Sequence, residues 1–350
     1  MSNPPRRSPL RALPALLSGL AIVLLVAACE ERRKLPETMP PPAPAPIPTP
    51  PPTPKPPPSP APVPIPTPTP PPAPPPPPVP PPVTALSHPL YGVTTDSIDN
   101  LSDIVDSLSS LSRRPTTRVV FDEFMPASYY TSAVNQIHDV SYVMGEILDS
   151  SAMSKYSLAD YTARTLEYLN AMGNSVDIWE IGNEVNGEWL GDPDDVADKV
   201  TVAYLLAKNQ QRRVALTLYY NENCWLYPWE EMFTWAQTRI PQDMKDGLDY
   251  VLVSYYEDDC NDLQPDWAPV FQRLGDMFPN AYIGFSEVGT AIAERKEEYI
   301  TRYYTLQIDE PAYVGGYFWW YFKQDMVPRT QPLWSVLDAV FAAGPIPTPP

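Results

Sequence analysis

Two short segments roughly a hundred residues apart hold the side chains best suited to chemistry. They are Asp177-Ile-Trp-Glu-Ile-Gly-Asn-Glu184 and Tyr282-Ile-Gly-Phe-Ser-Glu-Val-Gly-Thr290. Each reads as a buried apolar strand that ends on a carboxylate, Glu184 in the first and Glu287 in the second. A strand that crosses a core and finishes on glutamate leaves that glutamate at the rim of a sheet. If the two rims face each other, one carboxyl can give a proton to a leaving oxygen while the other attacks or activates water. That pairing is what cleavage of a glycosidic bond requires.

The elements that must position these groups recur along the chain. Eight apolar, β-rich segments are expected over residues 90–94, 118–124, 142–148, 177–183, 213–220, 249–256, 281–287 and 315–322. Amphipathic stretches lie between several of them. One covers 156–172, with Leu158, Tyr161, Leu166 and Leu169 as its expected core contacts. Another covers 194–208 and opens behind Pro193 with acidic residues, as helices often do. Alternating strands and helices imply parallel strands joined by right-handed crossovers. Eight such units in one domain of ~250 residues point to an α/β fold, a closed (β/α)8 TIM barrel, whose active face is the carboxyl end of the strands. An open doubly wound sheet would require a glycine-rich phosphate turn after an early strand, and the sequence has none.

On that count the two carboxylate segments fall on strands four and seven. Trp179-Glu-Ile-Gly-Asn-Glu184 resembles the fourth-strand signature of clan A glycoside hydrolases, in particular the cellulase-like family 5, and Phe285-Ser-Glu-Val-Gly-Thr290 resembles their nucleophile segment. The resemblance implies a retaining glycosidase acting by double displacement on β-linked polysaccharide or oligosaccharide. Glu184 would be the acid/base and Glu287 the nucleophile. Asn183 would bond the sugar 2-hydroxyl, and Tyr256 would support the nucleophile. The resemblance also marks three departures. The arginine that such enzymes carry near the end of strand two is unmatched, because Arg118 is expected at the amino end of that strand. Ser254 stands where a histidine often precedes the tyrosine, and a histidine beyond strand three is missing. These departures leave a non-catalytic glycan-binding barrel as the alternative. A structural envelope tether ranks below both.

Sugars present apolar C–H faces that stack on aromatic rings. Trp189, Tyr219, Tyr220, Trp225, Trp229, Trp267, Trp319 and Trp320 fall at or just beyond the expected strand ends, although large aromatics also dominate cores. Trp320 is the expected floor of the cleaved sugar's subsite, with Trp319 as the fallback. Tyr220, Trp189, Glu222 and Asp122 are further candidates for the cleft, as are Glu123 and Glu146. Glu180 shares the inward parity of Glu184 but sits deeper, where a buried structural role is expected. The run Glu257-Asp258-Asp259 reads as a solvated acidic loop before it reads as a calcium site. No cofactor or metal is called for; the chain has only two histidines, and neither sits at a ligand spacing.

The rest of the chain speaks to where this domain works. Arg6, Arg7 and Arg11 precede an apolar run from Leu16 to Ala28, too short for the ~20 residues of a spanning helix. This is a secretory signal. Val26-Ala27-Ala28-Cys29 resembles the bacterial lipoprotein cleavage box, which implies residues 1–28 as signal peptide, Cys29 as the lipidated residue and, with Glu30 following, an outer-membrane address. Thirty of the 47 residues from Pro36 to Pro82 are proline. Residues 29–83 are therefore expected to be a polyproline-II-like spacer reaching about 150 Å, or else a ligand for a proline-binding module. The domain occupies 84–343, and the tail 344–350 resembles the spacer in composition. With Cys29 assigned, Cys224 and Cys260 remain as an even pair in an oxidising compartment. They follow strands five and six, neighbours in a barrel, and should form a disulfide. Residues 1–82 hold seven basic and three acidic side chains of the chain's 24 and 42, so the remainder carries a net charge of −22. Such a body repels phosphate backbones, which excludes nucleic acid, and suits a neutral polymer. A monomer is expected.

Overall fold

The structure, a computed structural model, describes residues 86–349. The expected signal, Cys29 and all of the proline-rich spacer lie outside the described residues.

Eight strands close into a barrel in sequence order, every neighbouring pair parallel. They are β1 (Leu90–Thr95), β2 (Thr116–Val120), β3 (Tyr142–Glu146), β4 (Ile178–Glu180), β5 (Val214–Tyr219), β6 (Tyr250–Tyr255), β7 (Tyr282–Val288) and β8 (Gly315–Trp319). Helices on the outside include Leu101–Ser109, Ala127–Val140, Leu158–Met172, Pro193–Asn209, Trp267–Met277 and Lys296–Tyr304. The strands are buried on both faces, as a barrel wrapped in helices requires. Two expected boundaries shift with consequences. The second strand begins two residues early, at Thr116, so Arg118 sits mid-strand and not at its amino end. The helix Leu158–Met172 starts after Ser157, whose side chain forms a capping box with Asp160. It buries Tyr161, Arg164, Thr165, Tyr168 and Leu169, whereas Leu158 and Leu166 lie at the surface. Its inner face is thus more polar than its leucines suggest, because Arg164 donates to the backbone oxygens of Phe121, Asp122, Met125 and Ile147.

Side chains alternate between an inner set and the helical layer. Leu90, Met144, Ile178, Ala215, Tyr250, Leu252 and Phe318 fill the barrel toward the amino ends of its strands. Val93, Val119, Trp179, Leu216, Leu218, Val253, Tyr255 and Trp319 belong to the larger core between strands and helices. Above the inner apolar layer the barrel turns polar, with Arg118, Glu146, Glu180, Thr217, Ser254 and Glu287 all buried. The segment 344–349 runs back beside the start of β1. Thr348 exchanges backbone hydrogen bonds with His88, and Tyr91 donates to the carbonyl of Pro345 at 2.7 Å.

Candidate active site

The polar layer is organised by one cation. Arg118, fully buried, gives Nε to Glu180 at 2.6 Å, one Nη to Glu287 at 2.8 Å, and places the other 3.1 Å from both Glu180 and Glu146. Burial opposes its charge, but the carboxylates of Glu146, Glu180 and Glu287 more than offset this and hold its pKa well above the ordinary arginine value. Glu180 also accepts from the hydroxyl of Thr217, which completes its role as a buried support. Glu146 is the outlier of the group. Neither of its oxygens has a hydrogen-bond partner among the described residues. Burial, only partly countered by Arg118, pushes its carboxyl well above the usual carboxylate range. It is the last residue of β3 and is fully buried.

Glu184 and Glu287 are both held from the end of β6. The hydroxyl of Ser254 donates to Glu184 Oε1 at 2.7 Å, and that of Tyr256 to Glu287 Oε1 at 2.5 Å. Ser254 and Tyr256 are two residues apart and so share one face of the chain. The two carboxyls, 103 positions apart in the sequence, are therefore gathered by donors two residues apart, one in β6 and one in the extended residue just past its end. Their surroundings differ in kind. Glu287 is bound by a full positive charge and a phenol. Glu184 is bound by two aliphatic hydroxyls, from Ser254 and from Ser150, the latter at 2.8 Å. A hydroxyl can donate to a carboxylate or accept from a carboxylic acid, so these partners serve either form of Glu184.

Each carboxylate is delivered by an irregularity of the backbone. Glu184 has φ 49°, in the left-handed region that costs a non-glycine residue about 1–3 kcal/mol. Glu287 depends on a bulge. Along β7, Ile283 and Phe285 face the helical layer opposite Val251 and Val253. Strict alternation would send Glu287 the same way. Instead the register skips Ser286, so that Ser254 pairs with Glu287 and Tyr255 with Val288. The extra residue turns Glu287 inward, and Ser286 is left with a buried hydroxyl that has no partner among the described residues.

The remaining expected residues divide. Trp320 is half-buried, with the Arg118 guanidinium carbon 5.6 Å from its ring centroid, which places it over the carboxylate cluster. Trp189 donates its indole N–H to Ser150 at 3.0 Å and meets Tyr219 edge-on at 5.4 Å. Asn183 is buried, and its side-chain oxygen has no partner among the described residues. Trp319 faces the other way, fully buried in the outer core, and donates to Asp325. Tyr220 likewise packs outward against Tyr255 and Trp267, so the cleft-side ring of that pair is Tyr219. Glu222 is exposed and accepts from the Tyr220 hydroxyl. Asp122 accepts from Tyr130 of the helix Ala127–Val140 at 2.9 Å. In the acidic run, Glu257 accepts from Arg302 and Tyr303 and Asp258 from Arg295, which ties that loop to the helix Lys296–Tyr304. Cys224 and Cys260 are bonded, their Cα atoms 5.3 Å apart, and the bridge joins the loops after β5 and β6.

Sequence reasoning missed Ser150 and misjudged Arg118 and Ser254. Ser150 follows β3 in a short helical turn and carries no signal of its own. Ser254 is the residue read as a lost histidine, yet it makes the bond to Glu184.

No protein family matches this chain by sequence, and neither does any curated protein sequence. Solved structures do match. Saccharomyces cerevisiae Gas2p in complex with laminaritriose and laminaritetraose is 13% identical over 75% of this chain and 66% of its own, with a TM-score of 0.49. The same yeast protein with laminaripentaose gives 13% identity over 73% of this chain and 65% of its own, with a TM-score of 0.48. An apo β-glucosidase designated 1317 is 13% identical over 70% of this chain and 87% of its own, with a TM-score of 0.48. The chain thus spans just under two thirds of the length of the yeast protein. The barrel assignment rests on the strand order of this chain and not on these likenesses.

Proposed function

We propose that this barrel is a retaining glycoside hydrolase of the clan A type that cleaves β-glycosidic bonds. The observation that carries the reading is that Ser254 in β6 and Tyr256 just past its end donate to Glu184 and Glu287 respectively, with Ser150 also donating to Glu184 and Arg118 to Glu287. Two carboxyls with such unlike partners suit two unlike tasks. Glu287, paired with Arg118 and steadied by Tyr256, attacks the anomeric carbon as the carboxylate. Glu184 gives its proton to the departing oxygen and so becomes the base for the second step. It then takes a proton from water, which attacks the glycosyl–Glu287 ester and returns Glu287 to its free form with the configuration retained. The unpaired oxygen of Asn183 is available to a sugar hydroxyl, and Trp320 offers a ring face above Arg118.

The alternative, a non-catalytic binder, rests on three departures from the family pattern: the strand-two arginine and two histidines. The first is answered, since Arg118 reaches Glu287 from mid-strand, and Ser254 bonds Glu184 where one histidine was expected. Glu287→Gln should abolish turnover of neutral β-glycans, by at least about 10³-fold, with the thermal unfolding midpoint preserved to within a few degrees. Wild-type initial product should be the β-anomer by proton NMR. Undiminished hydrolysis by Glu287→Gln, or an α-anomer first, rejects the assignment.

A further inference from the structure

The loop after β5 exposes an unusual amount of aromatic surface. Trp225, Leu226, Tyr227 and Trp229 are 39%, 58%, 44% and 50% exposed, and the rings of Tyr227 and Trp229 are stacked, 4.8 Å apart and 4° from parallel. Large apolar side chains left in water at this density mark a contact surface. This one is held rigid at both ends. At its start, Cys224 is bonded to Cys260 of the next loop. At its end, the backbone oxygen of Glu230 accepts from the side-chain amides of Asn186 and Asn221, at 3.0 and 2.9 Å.

The anchoring also says what the surface adjoins. Asn186 lies two residues beyond Glu184, and it pairs both ways with the backbone of Tyr219, the ring that meets Trp189. Trp189 in turn bonds Ser150, which bonds Glu184. A continuous chain of contacts therefore runs from the candidate acid/base out to the clamped aromatic loop. Glu222 and Glu231 flank that loop within a strongly acidic domain, a setting that disfavours an anionic lipid surface or an acidic protein. Flat rings in an acidic surround, continuous with a cleavage site, match one kind of partner. That partner is a neutral sugar chain, which has apolar pyranose faces for the rings and hydroxyls for the carboxylates.

We infer that Trp225, Tyr227 and Trp229 form a remote binding platform that holds the leaving-group side of an extended neutral polysaccharide. The inference builds on the glycosidase reading but is tested by binding, which needs no turnover. The full chain would be run through native gels containing soluble laminarin, hydroxyethyl cellulose or galactomannan. At least one polymer should retard the wild type. Trp225→Ala and Trp229→Ala should each weaken that retardation about 3- to 10-fold, and Trp229→Tyr should restore most of it. The same variants would be checked for unchanged thermal unfolding. Retardation equal to wild type in the double alanine variant overturns the platform while leaving the Glu287→Gln result to judge the chemistry. Absence of retardation by all three polymers also overturns it. So does concentration-dependent dimerisation, or binding to anionic vesicles, that disappears with the two tryptophans.

Discussion

Glu146 shows how far the carboxylate cluster is from electrostatic balance. Three buried acids share one guanidinium, and Glu146 is the one with no hydrogen bond to either oxygen. Burial raises its pKa well above the ordinary value, so the folded chain keeps a proton that the unfolded chain releases near pH ~4.3. The groups around it are Arg118 on β2, Glu180 on β4, Glu287 on β7, Asp149 beyond β3 and Tyr161 on the helix Leu158–Met172. Above pH ~4.3 the native state binds more protons than the unfolded state, so this residue makes stability fall as pH rises, until the folded pKa is passed. Glu146→Gln keeps the shape and removes the titration. Its stability relative to wild type should therefore grow with pH by up to about 1.4 kcal/mol per unit over that window. Urea unfolding of both proteins at pH 4, 5, 6 and 7 measures it. A difference that is flat across the series would show that Glu146 titrates normally.

At the scale of the element, β7 teaches the most. Its place in the fold was legible because a barrel strand buried on both faces is a near-continuous apolar run, and all eight segments stood out in that way. Glu184 was legible as a carboxylate near the end of the fourth strand, but not its facing, because β4 stops at Glu180 and Glu184 lies beyond it at φ 49°. The facing of Glu287 was not legible either. Parity with Ile283 and Phe285 points it into the helical layer, and only the extra residue at Ser286 reverses this. Register shifts leave no mark in a pattern of apolar residues. β2 was misread for a related reason. Its inward face begins with Thr116 and Arg118, and a polar barrel interior looks like a loop in sequence. Tyr220 went wrong by one residue, the smallest error that swaps cleft for core, and the fallback Trp319 faces the core by the same one-residue rule that preferred Trp320. The bulge can be tested directly. Ser286→Ala removes a buried hydroxyl without a partner, and should be as active as wild type and up to ~1 kcal/mol more stable. Deleting Ser286 should straighten the strand while leaving Glu287 inward, directly after Phe285 and still opposite Ser254, so turnover should survive. A deletion variant that folds without any hydrolysis would refute the reading of Ser286 as the extra residue.

For the whole molecule, the governing quantity is charge. The 17 basic and 39 acidic residues beyond position 82 give the barrel region a net −22, while its most consequential cation, Arg118, is buried and committed to carboxylates. The field over the cleft is therefore negative, and it reaches ~30 Å at 0.01 M salt but only ~8 Å at physiological ionic strength. A neutral polymer feels none of this directly. An anionic derivative of the same polymer must be brought against the field, at a cost that salt removes. KM for a neutral β-glucan should then stay constant between 0.01 and 0.15 M salt, within about twofold. KM for its carboxymethylated form should be several-fold higher at the low end and fall as salt is added. Steady-state kinetics on the matched pair of polymers reads both at once. If the two KM values coincide at low salt, the acidity lies too far from the cleft to select substrates, and its role is confined to solubility.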